Sequence, residues 1–227
     1  QRIGCLMYAA TSTRPDIAYP VHQLCKCLQR PTPDLIHETE HLLSYLARHA
    51  SVGLTYTREK GSLHAFADAS WATRYSTSGW VVLWQSAAIS WGSRGQNCVA
   101  LSTCEAEIIA LSEATKDVVY HRKLVAGVDT PLAGPTRLST DSKSARDVSY
   151  NPEHHNRMKH VARRHFYVRD MVEAFEIEVP FVPTDLNPAD FFTKPIQNAA
   201  KFFNFRRQIM NEPFPVSPPP STEGGRQ

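Results

Sequence analysis

Three strand-like runs crowded between residues 63 and 91 constrain this chain's fold more than any other feature. Leu63-His64-Ala65-Phe66-Ala67-Asp68 alternates with the period of a half-buried strand. Ser78 to Trp84 is a second run, and Ala88-Ile89-Ser90-Trp91 is a third, after a turn at Gln85-Ser86-Ala87. Links this short join antiparallel neighbours, so the three predict a meander. Beyond it the pattern changes to alternating helix and strand. A long helix is expected from Ser102 to about Val125, capped by Ser102 or Thr103. Strand Thr136–Thr140, a short helix near 142–149 and a longer helix from about Arg157 to Ala174 follow. Strand Glu176–Val182 comes next, and a last helix starts near Pro188, since proline is tolerated in a first turn. This order predicts an α/β fold: a mixed five-stranded sheet, three strands antiparallel and then two parallel, flanked by helices.

The flanks read differently. Residues 1–60 predict a small helical segment, with Leu35-Ile36, Leu42-Leu43 and Leu46 at helical spacing and Thr32 or Asp34 as cap. Pro15, Pro20, Pro31 and Pro33 cut it into short pieces. The α/β domain is expected over residues 61–200, and 201–227 reads as a C-terminal extension. From about Glu212 the prolines at 213, 215, 218, 219 and 220 and the pair Gly224-Gly225 predict disorder.

Composition removes several classes. The formal net charge is only +3 over 227 residues, so nucleic-acid affinity needs a local basic face. No apolar run reaches the length of a membrane helix, and no signal-peptide pattern opens the chain. The first residue, Gln1, suggests a piece of a longer polypeptide. Cys5, Cys25, Cys27, Cys98 and Cys104 are an odd number without paired zinc spacing, which predicts reduced thiols in an intracellular setting.

Four carboxylates stand where elements end or turn inward: Asp68, Glu107, Asp141 and Asp190. Hard oxygen ligands supplied by separate elements suit Mg²⁺, which fills its remaining positions with water and phosphate oxygens. Two such ions activate a water and stabilise the leaving oxygen of a phosphodiester. Any one of the four alone would read as a solvated charge.

Five blocks carry a resemblance. They are Phe66-Ala67-Asp68-Ala69-Ser70-Trp71; Ser76-Thr77-Ser78-Gly79-Trp80 with Ala88-Ile89-Ser90-Trp91; and Ala100-Leu101-Ser102-Thr103-Cys104-Glu105-Ala106-Glu107 with Ala110-Leu111-Ser112-Glu113-Ala114. Asp141-Ser142-Lys143-Ser144-Ala145 is the fourth; Val182-Pro183-Thr184-Asp185 with Ala189-Asp190 and Thr193-Lys194-Pro195 is the fifth. In order and spacing the chain resembles the ribonuclease H domain of copia-type retrotransposon polyproteins. Ile3-Gly4-Cys5-Leu6-Met7-Tyr8 and Thr13-Arg14-Pro15-Asp16-Ile17-Ala18-Tyr19 resemble the end of the same family's reverse transcriptase.

The resemblance implies a ribonuclease H-like fold and hydrolysis of the RNA strand of RNA–DNA hybrids. It implies two Mg²⁺ ions, with Mn²⁺ as a substitute, held by Asp68, Glu107, Asp141 and Asp190. In the expected mechanism Asp68 bridges the ions, Glu107 and Asp141 hold one, and Asp190 the other. Glu107 is preferred to Glu105 because Ala106-Glu107-Ile108 followed by Ala110-Leu111 matches the family frame. The two glutamates point about 200° apart on a helix, so both cannot face one ion. The implied partners are the hybrid and the upstream reverse transcriptase domain, with no membrane, in a cytoplasmic particle or the nucleus. The alternative is a catalytically silent binding or connection remnant. Two departures stand out: the histidine that many ribonucleases H carry before the last aspartate is missing, and Ala162-Arg163 replaces a common Asp-Ile pair.

Other residues keep two or more readings. The cationic segment 154–165 fits a solvated helix face or a phosphate-contacting one, with Lys159, Arg163 and Arg164 on the phosphates. Nothing is spaced to complete a zinc site there. Ser142 either caps a helix or touches the substrate backbone, and Trp71 either packs or lines the groove. Trp80 and Trp84 are expected in the core. Glu105, Glu113 and Asp117 are expected on the outer face of the long helix.

Overall fold

The computed structural model describes residues 1–57, 62–72, 75–128, 132–151 and 162–212, with the side chains of 162–166 excepted. The elements are α1 (Arg2–Ser12), α2 (Ala18–Lys26), α3 (Pro33–Arg48), β1 (Leu63–Ser70), β2 (Thr77–Trp84) and β3 (Ala87–Gly95). They continue with α4 (Thr103–Val128), β4 (Thr136–Ser139), α5 (Lys143–Tyr150), α6 (Ala162–Glu173), β5 (Ile177–Glu178) and α7 (Ala199–Met210). The sheet order is β3-β2-β1-β4-β5. β1, β2 and β3 pair antiparallel, while β4 and β5 add in parallel. This is the mixed five-stranded sheet, three strands antiparallel and two parallel, preceded by a helical segment, that the sequence implied.

Strand alternation divides the core into two layers. Ala65, Ala67, Trp80, Val82 and Leu138 face α4, α5 and α6, where Ile108, Ile109, Leu111 and Val168 meet them. Trp84 packs against that layer, half-buried, as its spacing from Trp80 requires. Val81, Leu83 and Ala88 face the other way, against Phe191, Phe192, Phe205, Ile209 and Met210. A third cluster, with Leu6, Ile17, Val21, Leu35 and Leu42, holds α1–α3 together. Trp91 ties that cluster to the sheet by donating to the Ala10 carbonyl at 2.7 Å. Among the described residues no helix is long and apolar enough to cross a membrane.

Several expectations change. The last strand covers only Ile177–Glu178, because Pro180 has no N–H to give a ladder; pairing resumes as a single bridge from Thr140 to Phe181. The helix expected at Pro188 is a 3-10 turn, Pro188–Phe192, after a second such turn at Thr184–Leu186. The true helix, α7, starts at Ala199 and crosses the boundary expected at 201. Its Phe205, Ile209 and Met210 are fully buried, so the first part of the expected extension belongs to the sheet's second layer. The Pro-rich segment 213–227 lies outside the described residues.

Glu105 and Asp117 are not on an outer face. Glu105 is 3% exposed and accepts from the Leu101 amide at 2.8 Å, while Ser102 Oγ accepts from the Glu105 amide at 3.1 Å. Ser102 thus caps α4, and the Glu105 carboxylate holds the amide of the residue just before that cap. Asp117 accepts from Trp80 Nε1 at 2.8 Å and Ser90 Oγ at 2.5 Å, and faces His121 at 3.3 Å. A tryptophan indole in a core needs such an acceptor. Glu113 is half-buried.

Candidate metal centre

Asp68 and Asp141 are brought together by sheet register. β1 and β4 run parallel, with Phe66 opposite Ser139, and the same offset carried two residues on sets 68 beside 141. Asp190 arrives from the second layer on the turn Pro188–Phe192. One carboxylate oxygen from each of the three lies within 4.8 Å of the others. Asp68 and Asp190 are 3% and 0% exposed, and Asp141 is half-buried.

Glu107 approaches from α4, on the opposite layer, and stands outside that triad. Its carboxyl is pushed up to about 9, by burial first and then by the charges of Asp68 and Asp141, with the Ala69 amide pulling it back. Its Oε2 is buried without a hydrogen-bond partner. The Asp68 carboxyl is pushed up to about 6, again by burial first, against the pull of Lys194 and the Thr193 hydroxyl. An orphaned buried oxygen beside three gathered carboxylates is a set of hard donors short of positive charge, and it fits a divalent cation.

No protein-family model matches the chain. The Pol polyprotein of transposon TNT 1-94 from Nicotiana tabacum is 34% identical over 196 residues, 85% of this chain and 15% of that protein. The Pol polyprotein of transposon RE2 from Arabidopsis thaliana is 33% identical over 212 residues, 91% of this chain and 14% of that protein.

Over most of its length the chain is homologous to the Pol polyproteins of copia-type retrotransposons.

This Pol segment therefore spans about one-seventh of the length of those relatives. Among solved structures, RNase H1 from Halobacterium salinarum aligns at a TM-score of 0.42 with 18% identity, over 59% of this segment and 95% of that chain.

The remaining site expectations distribute as follows. Ser142 Oγ accepts from the Ala145 amide at 3.2 Å, so Ser142 caps α5 of the Pol segment. Trp71 is 47% exposed and donates to the Ala100 carbonyl at 3.1 Å, ahead of α4. Lys159 lies outside the described residues. Arg163 and Arg164 fall in α6, but their side chains are outside the described set.

Four residues that sequence reasoning assigned no role surround the carboxylates. Asn187 is fully buried; its Nδ2 donates to Asp141 Oδ1 at 3.2 Å and to the Ala67 carbonyl at 3.1 Å. Its Oδ1 accepts from the Ala189 amide, capping the turn that carries Asp190. Thr193 Oγ1 donates to Asp68 Oδ2. Lys194 Nζ lies 2.7 Å from Asp190 Oδ1, and Lys201 Nζ donates to Asp190 Oδ2 at 3.2 Å. The available signals were the Thr193-Lys194-Pro195 block and an Asn before a proline, which is a cap signature.

Proposed function

We propose that this Pol segment is a metal-dependent endonuclease that hydrolyses the RNA strand of RNA–DNA hybrids during retrotransposon reverse transcription. The observation that carries the reading is the meeting of Asp68, Asp141 and Asp190 within 4.8 Å, from two strands' ends and one turn, with the orphaned Glu107 oxygen beside them. These four would hold two Mg²⁺ ions, with Asp68 shared; Mn²⁺ suits the same oxygens. When bound, such a pair activates a water and supports the departing 3′ oxygen.

The chain's own residues supply rigidity. Asn187 fixes Asp141 to the β1 backbone, and the Thr193 hydroxyl fixes Asp68. Both supports are buried, so the carboxylates are held before substrate arrives. RNA would be chosen through its 2′-hydroxyl, a donor and acceptor that DNA lacks. Lys159, Arg163 and Arg164 would hold the duplex by its phosphates, with Ser142 and Trp71 nearer the scissile strand. The upstream reverse transcriptase domain of the same polyprotein is the expected partner, in an intracellular particle.

A second reading, a silent binding or connection remnant, is favoured by one observation: both oxygens of Asp190 are already ion-paired to lysines. A labelled hybrid incubated with the chain and Mg²⁺ separates the two. Cleavage supports the nuclease; retention of intact hybrid supports the remnant; neither binding nor cleavage removes both.

A further inference from the structure

We propose that Lys194 is the resident counter-cation of the acidic centre: its ammonium competes with the divalent ion for Asp190 and Asp68 and so sets how tightly the metal is held. This rests on the metal-centre reading above.

Lys194 follows Thr193, the residue that anchors Asp68, and its amide closes on the Asp190 carbonyl at 3.3 Å. The four-residue spacing returns its side chain over Asp190. Nζ lies 2.7 Å from Asp190 Oδ1 and 3.8 Å from Asp68 Oδ2. The Asp190 contact is a close ion pair rather than an aligned hydrogen bond, since that oxygen has no hydrogen-bond partner. Buried carboxylates that repel one another need a positive charge nearby, and without metal Lys194 supplies it.

The two lysines on Asp190 differ in freedom. Lys201 is anchored a second time by Asp185 at 3.1 Å and lies over the Phe205 ring at 5.2 Å. The Lys194 side chain is 41% exposed, whereas that of Asp190 is 0%. The Asp190 carboxylate is buried, whereas the Lys194 ammonium sits on a flexible four-carbon stem that is partly exposed. A divalent ion among the same oxygens puts like charges together, and Lys194 is the group free to leave.

The test is calorimetric titration of the 227-residue chain with Mn²⁺, for wild type, Lys194→Met and Lys194→Arg, with thermal melts in EDTA and in saturating Mn²⁺. Lys194→Met should bind Mn²⁺ about tenfold more tightly, the order expected for a unit charge removed at this range with solvent screening. Lys194→Arg, which keeps the charge, should stay near wild type. Lys194→Met should melt below wild type in EDTA, and the gap should close in Mn²⁺. A purely structural lysine would lower both melts and leave affinity unchanged. Equal or weaker Mn²⁺ binding by folded Lys194→Met overturns the inference alone. Absence of Mn²⁺ binding by every variant overturns the metal-centre reading and the inference with it. If Lys194→Met does not fold, Lys194→Gln carries the same comparison.

Discussion

Asp68 and Gly79 face each other across the β1–β2 ladder. The glycine is what allows the last aspartate to reach the first. A Cβ at position 79 would meet Thr193 Cγ2 at 2.5 Å, Phe192 Cβ at 2.8 Å and the Ala189 carbonyl at 3.0 Å. The turn bearing Asp190 thus lies flat on the sheet at the one position beside Asp68 without a side chain. Gly79→Ala should destabilise the protein by about 1–3 kcal/mol through overpacking. It should also weaken Mn²⁺ binding, because the turn must lift. Denaturant melts and metal titration check both; an unchanged metal affinity would show that the turn's contact with β2 does not position the carboxylate.

Asp68→Asn should abolish hybrid cleavage and leave the fold intact. Asparagine keeps an oxygen for the Thr193 hydroxyl, and losing one charge relieves repulsion from Asp141 and Asp190. Metal-free melting should therefore match or exceed wild type. Cleavage at the wild-type rate in saturating Mg²⁺ would rule out the proposed chemistry.

Glu107→Gln and Glu105→Gln should fail in different ways. Glu107 faces the aspartates, so its loss should remove cleavage with little cost to folding. Glu105 is buried and holds the Leu101 amide just before the α4 cap, and Glu105→Gln should cost up to about 1 kcal/mol of stability while retaining cleavage. Rates and urea midpoints measured on both variants decide it. A larger catalytic loss at 105 would shift the ligand assignment by half a helical turn.

The metal-free protein should lose stability as pH rises. Glu107, held up to about 9, keeps its proton in the folded state after the unfolded chain has released it. Folding then binds a proton, so stability falls from the ordinary carboxylate range up to about pH 9 and levels off above it. Asp68, raised to about 6, adds the same sign over the lower part of that window. Urea melts in EDTA across the window give the slope, and Glu107→Gln, neutral at every pH, should flatten it. A slope of opposite sign would mean that the carboxylates are not desolvated as the fold has them.

Replacing Lys159, Arg163 and Arg164 together with alanine should weaken hybrid binding and flatten its salt dependence, by about 0.9 in log–log slope per lost phosphate contact on the B-DNA scale. Cleavage at saturating hybrid should change much less, because these groups hold no metal. An unchanged slope would make the segment a solvated surface.

The local patterns of this sequence determined the elements and their order. Strand alternation from Leu63 to Asp68, the short links of the meander and the Ser102–Glu105 cap signal are properties of neighbours in the chain, and periodicity reads them directly. The resemblance of five blocks placed the four acidic residues in one family frame. Tertiary structure decided everything that depends on two layers meeting. Glu105 looked solvated because a glutamate holding the chain ahead of a helix and a surface charge share one sequence. Asp117 looked solvated because the indole it accepts from lies 37 residues away. The helix expected at Pro188 is a tight turn whose residues pack against β2 at Gly79, far off in the chain. Lys194 stood in a quoted block without a role, since only docking of that turn on β1 and β2 brings its ammonium to two carboxylates. Periodicity reports which face a residue takes; it carries no information on which charge will be waiting there.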